Sequence, residues 1–193
     1  MKNLIASNWT IGINFRGSFH AGCGYAVAGR ADKAISRDRD GRPYVPGSTL
    51  KGRLRHAVRE IAYAFGEFPC GERVCSPEGP ACIVCRVFGS VFRQGALFVS
   101  DAQVTTQDLP MPTSSMVLWG ERHGIGVNRT TRTAQPGLLY SMECAPDGLR
   151  LTAKASGCLA KADSEILKSA AKSIIAMGGS SSRGLGRCEC QMV

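Results

Sequence analysis

Residues 43–65 read PYVPGSTLKGRLRHAVREIAYAF, and this stretch decides the fold. Leu50, Leu54, Val58, Ile61 and Phe65 recur every three or four positions, which predicts a helix with a single apolar stripe. Ser48, just after Pro46-Gly47, is a suitable N-cap, because its hydroxyl can accept one of the amide hydrogens left over at a helix start. Lys51, Arg55 and Arg59 form a second line beside the stripe, spanning about 12 Å along the axis. Such a ridge can follow a phosphate backbone, and it can equally be a solvated helix flank.

Upstream, residues 8–16 (NWTIGINFR) alternate polar and apolar side chains, as a half-buried strand does. Residues 17–47 are rich in Gly, Arg and Asp and read as a long functional loop without a core-forming pattern. Downstream, residues 96–104 (ALFVSDAQV) read as a strand. Residues 105–137 are a polar, basic excursion. LLYSMEC (138–144) and LRLTAKASGCL (149–159) read as strands paired across the Ala145-Pro146-Asp147-Gly148 turn. Asp163 is placed to cap a second helix running through Met177, with Ile166, Leu167, Ala170, Ile174 and Met177 inward and Gly178-Gly179 as its stop. GRCECQMV (186–193) supplies a last strand. The order strand, helix, strand, strand, helix, strand predicts an α+β class fold: a ferredoxin-like, RRM-like sheet with two helices on one face, in a single domain over residues 1–193. Many unrelated proteins share that architecture, so it does not specify an activity.

An apolar share of 44% is enough for a packed core and excludes a disordered chain. The net charge of +9, from 24 Lys and Arg against 15 acids, favours a polyanionic partner through counterion release. No apolar run approaches the roughly 20 residues needed to cross a bilayer, and MKNLIASNWTIGINF lacks the continuous core of a signal peptide. The expectation is a cytoplasmic protein with no membrane partner, whose nine cysteines are reduced thiols or metal ligands. Four of them, Cys70, Cys75, Cys82 and Cys85, fall in a Pro- and Gly-rich insertion at 66–89 with spacing suited to one tetrahedral structural Zn2+. The other readings are unrelated reduced thiols, or His56 replacing one cysteine. The insertion reads as too poor in apolar residues to fold by packing, so metal binding would supply its folding energy. Cys23, Cys144, Cys158, Cys188 and Cys190 read as small buried residues.

Two motifs carry a resemblance. Pro43-Tyr44-Val45-Pro46-Gly47-Ser48-Thr49-Leu50-Lys51-Gly52-Arg53-Leu54-Arg55 resembles the signature at the first helix of the RAMP superfamily. Gly178-Gly179-Ser180-Ser181-Ser182-Arg183-Gly184-Leu185-Gly186-Arg187 resembles its C-terminal glycine-rich loop. Within that superfamily the chain is most similar to the backbone subunit, a palm with a thumb hairpin, of type III CRISPR effector complexes. Phe19-His20-Ala21-Gly22 resembles the family's motif after the first strand. Asp32, followed by Asp38 and the Pro46-Gly47-Ser48 turn, resembles its catalytic loop. Ile125 to Thr133 resembles the thumb entry, with Asn128 where the family usually has Asp and with Arg129 retained. The cysteine insertion is similar to those of type III-D and fused III-E relatives.

The resemblance implies a filament of such subunits, further copies or related ones, on a guide CRISPR RNA, in a complex with other effector subunits. Each thumb would splay a guide–target base pair so that target RNA is cut beside the aspartate loop, with Mg2+ or a similar divalent ion. It makes Asp32 the cleavage residue and His20, Ser48, Lys51, Arg55, Arg129 and Arg183 the RNA contacts. Asp38 and Asp40 compete with Asp32 for the catalytic assignment. Three alternatives stay open: a guide-binding subunit without catalysis, a repeat-processing endoribonuclease of the same superfamily using one of His20, His56 and His123, and an unrelated zinc-binding RNA module, which would leave both motifs unexplained.

Overall fold

A computed structural model describes residues 4–28, 31–70, 75–105 and 120–193. Its central sheet uses β1 (Leu4–Phe15), β2 (Leu97–Val99), β3 (Gln103–Val104), β6 (Arg150–Ala160) and β7 (Cys188–Met192). The order is β2-β6-β1-β7, all neighbours antiparallel, with β3 also on β6 below β2. This is the ferredoxin-like arrangement. The period-2 alternation of β1 puts Trp9, Ile11, Ile13 and Phe15 into the core, against Leu151, Ala153, Ala155 and Leu159 of β6 and Cys188, Cys190 and Met192 of β7. Two helices, α1 (Gly47–Ile61) and α3 (Lys161–Ser173), cover that face, while Thr10, Thr152 and Lys154 line the open one.

In α1 the apolar stripe is real: Leu50, Leu54 and Val58 are buried, each contributing about 1.5–3 kcal/mol. The stripe ends at half-buried Ile61, and Phe65 lies exposed in a 3-10 turn, Ala62–Phe65. Ser48 is not the cap. Pro46 holds the N-cap position, and the carboxylate of Asp101, in the β2–β3 turn, accepts the Gly47 N–H at 2.7 Å. A Cβ on Gly47 would stand 2.6 Å from the Val99 carbonyl oxygen, so the helix start can sit this close to β2 only as glycine.

The structure corrects the pairing expected across residues 145–148. The turn exists, but its arms part: β6 enters the central sheet, and β5 (Ala134–Cys144) pairs with β4 (Gly120–Val127) in a separate two-stranded hairpin. The single strand expected at 96–104 is two short ones, because Ser100 and Asp101 turn out to meet α1 and β6. The second helix ends at Ser173. Ile174 is extended, yet Ile174 and Met177 stay buried, so their spacing mimicked a longer helix. Residues 17–47 do contribute to the core, since Phe19, Ala21, Ile35 and Val45 are buried in it and Phe19 stacks on Phe15 at 3.9 Å. Of the thumb-like excursion, residues 120–137 form this hairpin, and 106–119 lie outside the described residues.

The insertion, too, departs from expectation. Its second half is helix α2 (Ile83–Phe88), whose Ile83, Val84, Val87 and Phe88 belong to the main core, so packing anchors that half. Asp163 caps nothing: it is buried, and its two oxygens accept from Arg86 Nε and Nη2 at 2.7 and 2.6 Å. Arg86 also donates to Glu67, joining α2, α3 and the start of the insertion. The Asp163 hydrogen bond, opposed by partial burial and aided by Glu67, holds the guanidinium above its ordinary pKa. Replacing Arg86 by Met keeps the stem and strands a buried carboxylate. Denaturant unfolding of Arg86→Met should show a loss of about 3–5 kcal/mol.

Candidate nucleic-acid interface

Three segments meet at β5. The first is the stretch 31–35, which runs beside β5 as an added parallel strand: Lys33 N–H donates to Ser141 O at 3.1 Å, and Glu143 N–H donates to Lys33 O at 2.9 Å. Asp32 is exposed there, and its Oδ2 accepts the Ser141 N–H at 2.7 Å and the Ser141 hydroxyl at 3.2 Å. Its rivals serve the turn that follows. Asp38 Oδ1 accepts the N–H groups of Asp40 and Arg42, closing the 38–42 reversal.

Glu143 lies at the centre, fully buried. Its Oε2 accepts the Ile35 N–H at 3.1 Å and is ion-paired with Arg37. Its backbone oxygen faces His20 Nδ1 at 2.7 Å; a carbonyl only accepts, so Nδ1 carries the hydrogen. His20 is therefore a buried strut beneath the loop. The glycine-rich loop docks on the same strut. Gly179 N–H donates to His20 O at 2.8 Å, and a Cβ on Gly178 would stand 2.5 Å from that oxygen. At Gly186, φ is +71° and a side chain would collide with the Met177 carbonyl.

On the outer side Arg183 Nη1 donates to the Tyr140 hydroxyl at 2.6 Å, and Lys33 Nζ lies 4.8 Å from the same ring. Tyr140 and Arg183, with Arg122, His123 and Met142, border a cleft of about 230 Å3. Arg183 thus sits with Lys33 at Tyr140, on the face of the hairpin opposite Asp32. Lys51 is elsewhere: its Nζ donates to the Leu97 carbonyl at 2.7 Å, and partial burial, then the neighbouring Arg55, lower its pKa. Arg55 is half-buried on α1, and Ser48 is exposed at its start. Arg129 is exposed at the hairpin tip, where the Asn128 side chain accepts from Thr130 and Thr131 N–H. Sequence reasoning missed Lys33, Tyr140, Ser141 and Glu143; an acid inside the apolar run LLYSMEC was the available signal.

The four cysteines of the insertion do converge, all sulfurs lying within 4.8 Å of one another. A tetrahedron with Zn–S of about 2.3 Å has edges of about 3.8 Å, and Cys70 Sγ lies 3.5 Å from Cys85 Sγ and 3.6 Å from Cys82 Sγ. Backbone N–H groups of Cys70 and Cys82 point at Cys82 and Cys75 sulfurs, as suits thiolates. Although burial alone would raise it, the N–H groups of Cys70 and Cys85 and then the Cys70 and Cys75 thiols lower the Cys82 pKa to about 6, while burial and neighbouring thiols push Cys70 up to about 12. The donor set fits a closed structural site. Of the remaining cysteines, Cys144, Cys188 and Cys190 are buried as expected, but Cys158 is exposed and Cys23 only half-buried.

A ferredoxin-like palm, a hairpin and a glycine-rich loop docked on both define the class of the protein, an α+β domain. The chain belongs to the RAMP superfamily, whose family model matches residues 13–189. No curated protein sequence matches it. Among solved structures it is similar to a chain in a cryo-EM structure of the Type III-B Cmr-beta bound to cognate target RNA, with a TM-score of 0.68 and 12% identity, covering 96% of this chain and 97% of that one. A chain of the Cmr-beta apo state aligns with a TM-score of 0.66, 13% identity and the same coverage. At these identities the likeness is one of fold. No helix among the described residues is long and apolar enough to cross a membrane.

The docking of the glycine-rich loop can be tested directly. Gly178→Ala, at φ +99° and against the His20 carbonyl, should cost about 1–3 kcal/mol. Hydrogen exchange should then rise in residues 178–187 and 17–22 together, measured by mass spectrometry.

Proposed function

We propose that the chain is a backbone subunit of a type III CRISPR RNA-guided effector complex, holding guide RNA and cutting the paired target RNA at Asp32. The observation that carries this reading is the placement of Asp32, an exposed carboxylate fastened to Ser141 where the loop before α1 meets the hairpin. Arg183 and Lys33 supply cations on the opposite face of the same strands, and Arg129 at the hairpin tip extends them outward. Ser48, Lys51 and Arg55 on α1 provide a second polar, cationic strip for the guide backbone, with Lys51 keeping hydrogens beyond the one given to Leu97. His20 acts by fixing the glycine-rich loop. Specificity comes from base pairing, with the protein gripping phosphates. Partners on this reading are guide RNA, target RNA, further copies of the chain and other effector subunits.

Asp32 accepts the proton of a target 2′-hydroxyl in this scheme. A divalent ion such as Mg2+, held by Asp32 together with RNA phosphate, would neutralise charge on the scissile group. Asp32→Asn keeps the shape and removes the base. In the assembled complex it should retain guide and target binding while target cleavage falls by about 10²–10⁴-fold, as read on denaturing gels. Undiminished cleavage would reduce the role to RNA holding, and cutting of repeat RNA by the isolated chain would point to guide processing instead.

The four cysteines hold structural Zn2+ on the same reading. Elemental analysis should find one zinc per chain, lost in Cys82→Ser/Cys85→Ser. Because α2 is anchored by its own apolar residues, chelation should loosen residues 66–70 and 75–82 without unfolding the palm, which circular dichroism and limited proteolysis would separate.

A further inference from the structure

The hairpin sets a histidine in register with Asp32. In the added strand Lys33 pairs with Met142, so Asp32 stands one step back beside Ser141, to which it is bonded. On the far side of β5, Ser141 is paired with His123 of β4. Ser141 turns its N–H to Asp32 and its carbonyl to Lys33, so the Ser141–His123 pair is a non-hydrogen-bonded one, the kind whose side chains stand closer. Directly opposed residues share a face of the sheet. Asp32, Ser141 and His123 therefore form one row across three strands, with about 10 Å between the outer Cα atoms at about 4.8 Å per strand. The neighbouring row, Lys33, Met142 and Arg122, alternates to the other face, where Lys33 meets Tyr140. His123 is exposed, whereas His20 is buried on Glu143 and His56 lies on α1 beside Glu60 at 3.1 Å.

We propose that His123 is the general acid of the cleavage assigned to Asp32, an inference that rests on that assignment. A carboxylate and an imidazole at the two ends of the row leave between them a gap on the scale of one phosphodiester linkage. Asp32 takes the proton of the ribose 2′-hydroxyl as the 2′-oxygen bonds to phosphorus. The bond from phosphorus to the 5′-oxygen breaks, and the imidazolium of His123 gives its proton to that departing oxygen. The products are a 2′,3′-cyclic phosphate and a 5′-hydroxyl. Solvent then returns the proton from Asp32 to His123, and no redox partner is needed. Ser141 positions the base through its N–H and hydroxyl.

The test uses the effector complex assembled with guide RNA and two targets, one natural and one with sulfur replacing the 5′-oxygen at the scissile bond. A thiolate leaves without protonation, so the sulfur target needs no acid. His123→Ala should slow cleavage of the natural target by about 10²–10⁴-fold and leave cleavage of the sulfur target at the wild-type rate. Asp32→Asn should slow both. Equal loss on both targets in His123→Ala, no loss on either, or products without a cyclic phosphate would overturn the assignment of His123. Normal cutting by Asp32→Asn would instead overturn the reading on which it rests.

Discussion

Removing a carboxylate completely from water costs several kcal/mol unless charge and hydrogen bonds offset it. Glu143 does so near the end of β5, and the offset is what organises the interface. Its side chain takes the Ile35 amide and Arg37, and its own backbone oxygen takes His20. One residue thereby fixes the loop before α1, the segment after β1 and the hairpin relative to each other. Asp32 and Ser141 sit on the two strands that this carboxylate clamps, which is why an exposed aspartate in a long loop has a defined position.

Glycine does the complementary work of bringing backbones together. Gly178 and Gly186 let the loop after α3 lie against His20 and Met177, and Gly47 lets α1 start against β2. Each contact is between main chains, so none depends on a flexible side chain settling into place. Arg183 leaves this rigid support already directed at Tyr140. Cations so fixed lose little conformational entropy on meeting a phosphate.

Helix α1 was legible from sequence because its stripe repeats with the helical period over several turns, and β1 because it alternates. Those signals are local. What failed was long-range. The Ala145–Gly148 turn was recognised, but a turn shows only that the chain reverses, and β5 found its partner in β4. Likewise Asp163 had the spacing of a cap while Arg86, far off in the insertion, claimed it. The cysteine cluster was readable because its ligands are close in sequence. The apolar half of the same insertion was underrated, since the core residues that receive Ile83 and Val87 lie in other segments. Asp32 could be singled out by resemblance, but its bond to Ser141 joins residues more than a hundred positions apart and leaves no local pattern.

Period-2 alternation has a further consequence at the hairpin. A single added strand pairs with β5, so consecutive residues must present opposite chemistries to opposite sides: Asp32 with Ser141 and His123 on one, Lys33 with Tyr140 and Arg122 on the other. On the proposed reading, the cationic side lies against phosphates that are to be held and the acid–base side against the linkage that is to be broken. Separating the two by the thickness of one strand keeps Asp32 from being neutralised by an ion pair with Lys33, its neighbour in sequence. The immediate partners of the Asp32 carboxylate, an amide and a hydroxyl of Ser141, are neutral and hold it by hydrogen bonds alone.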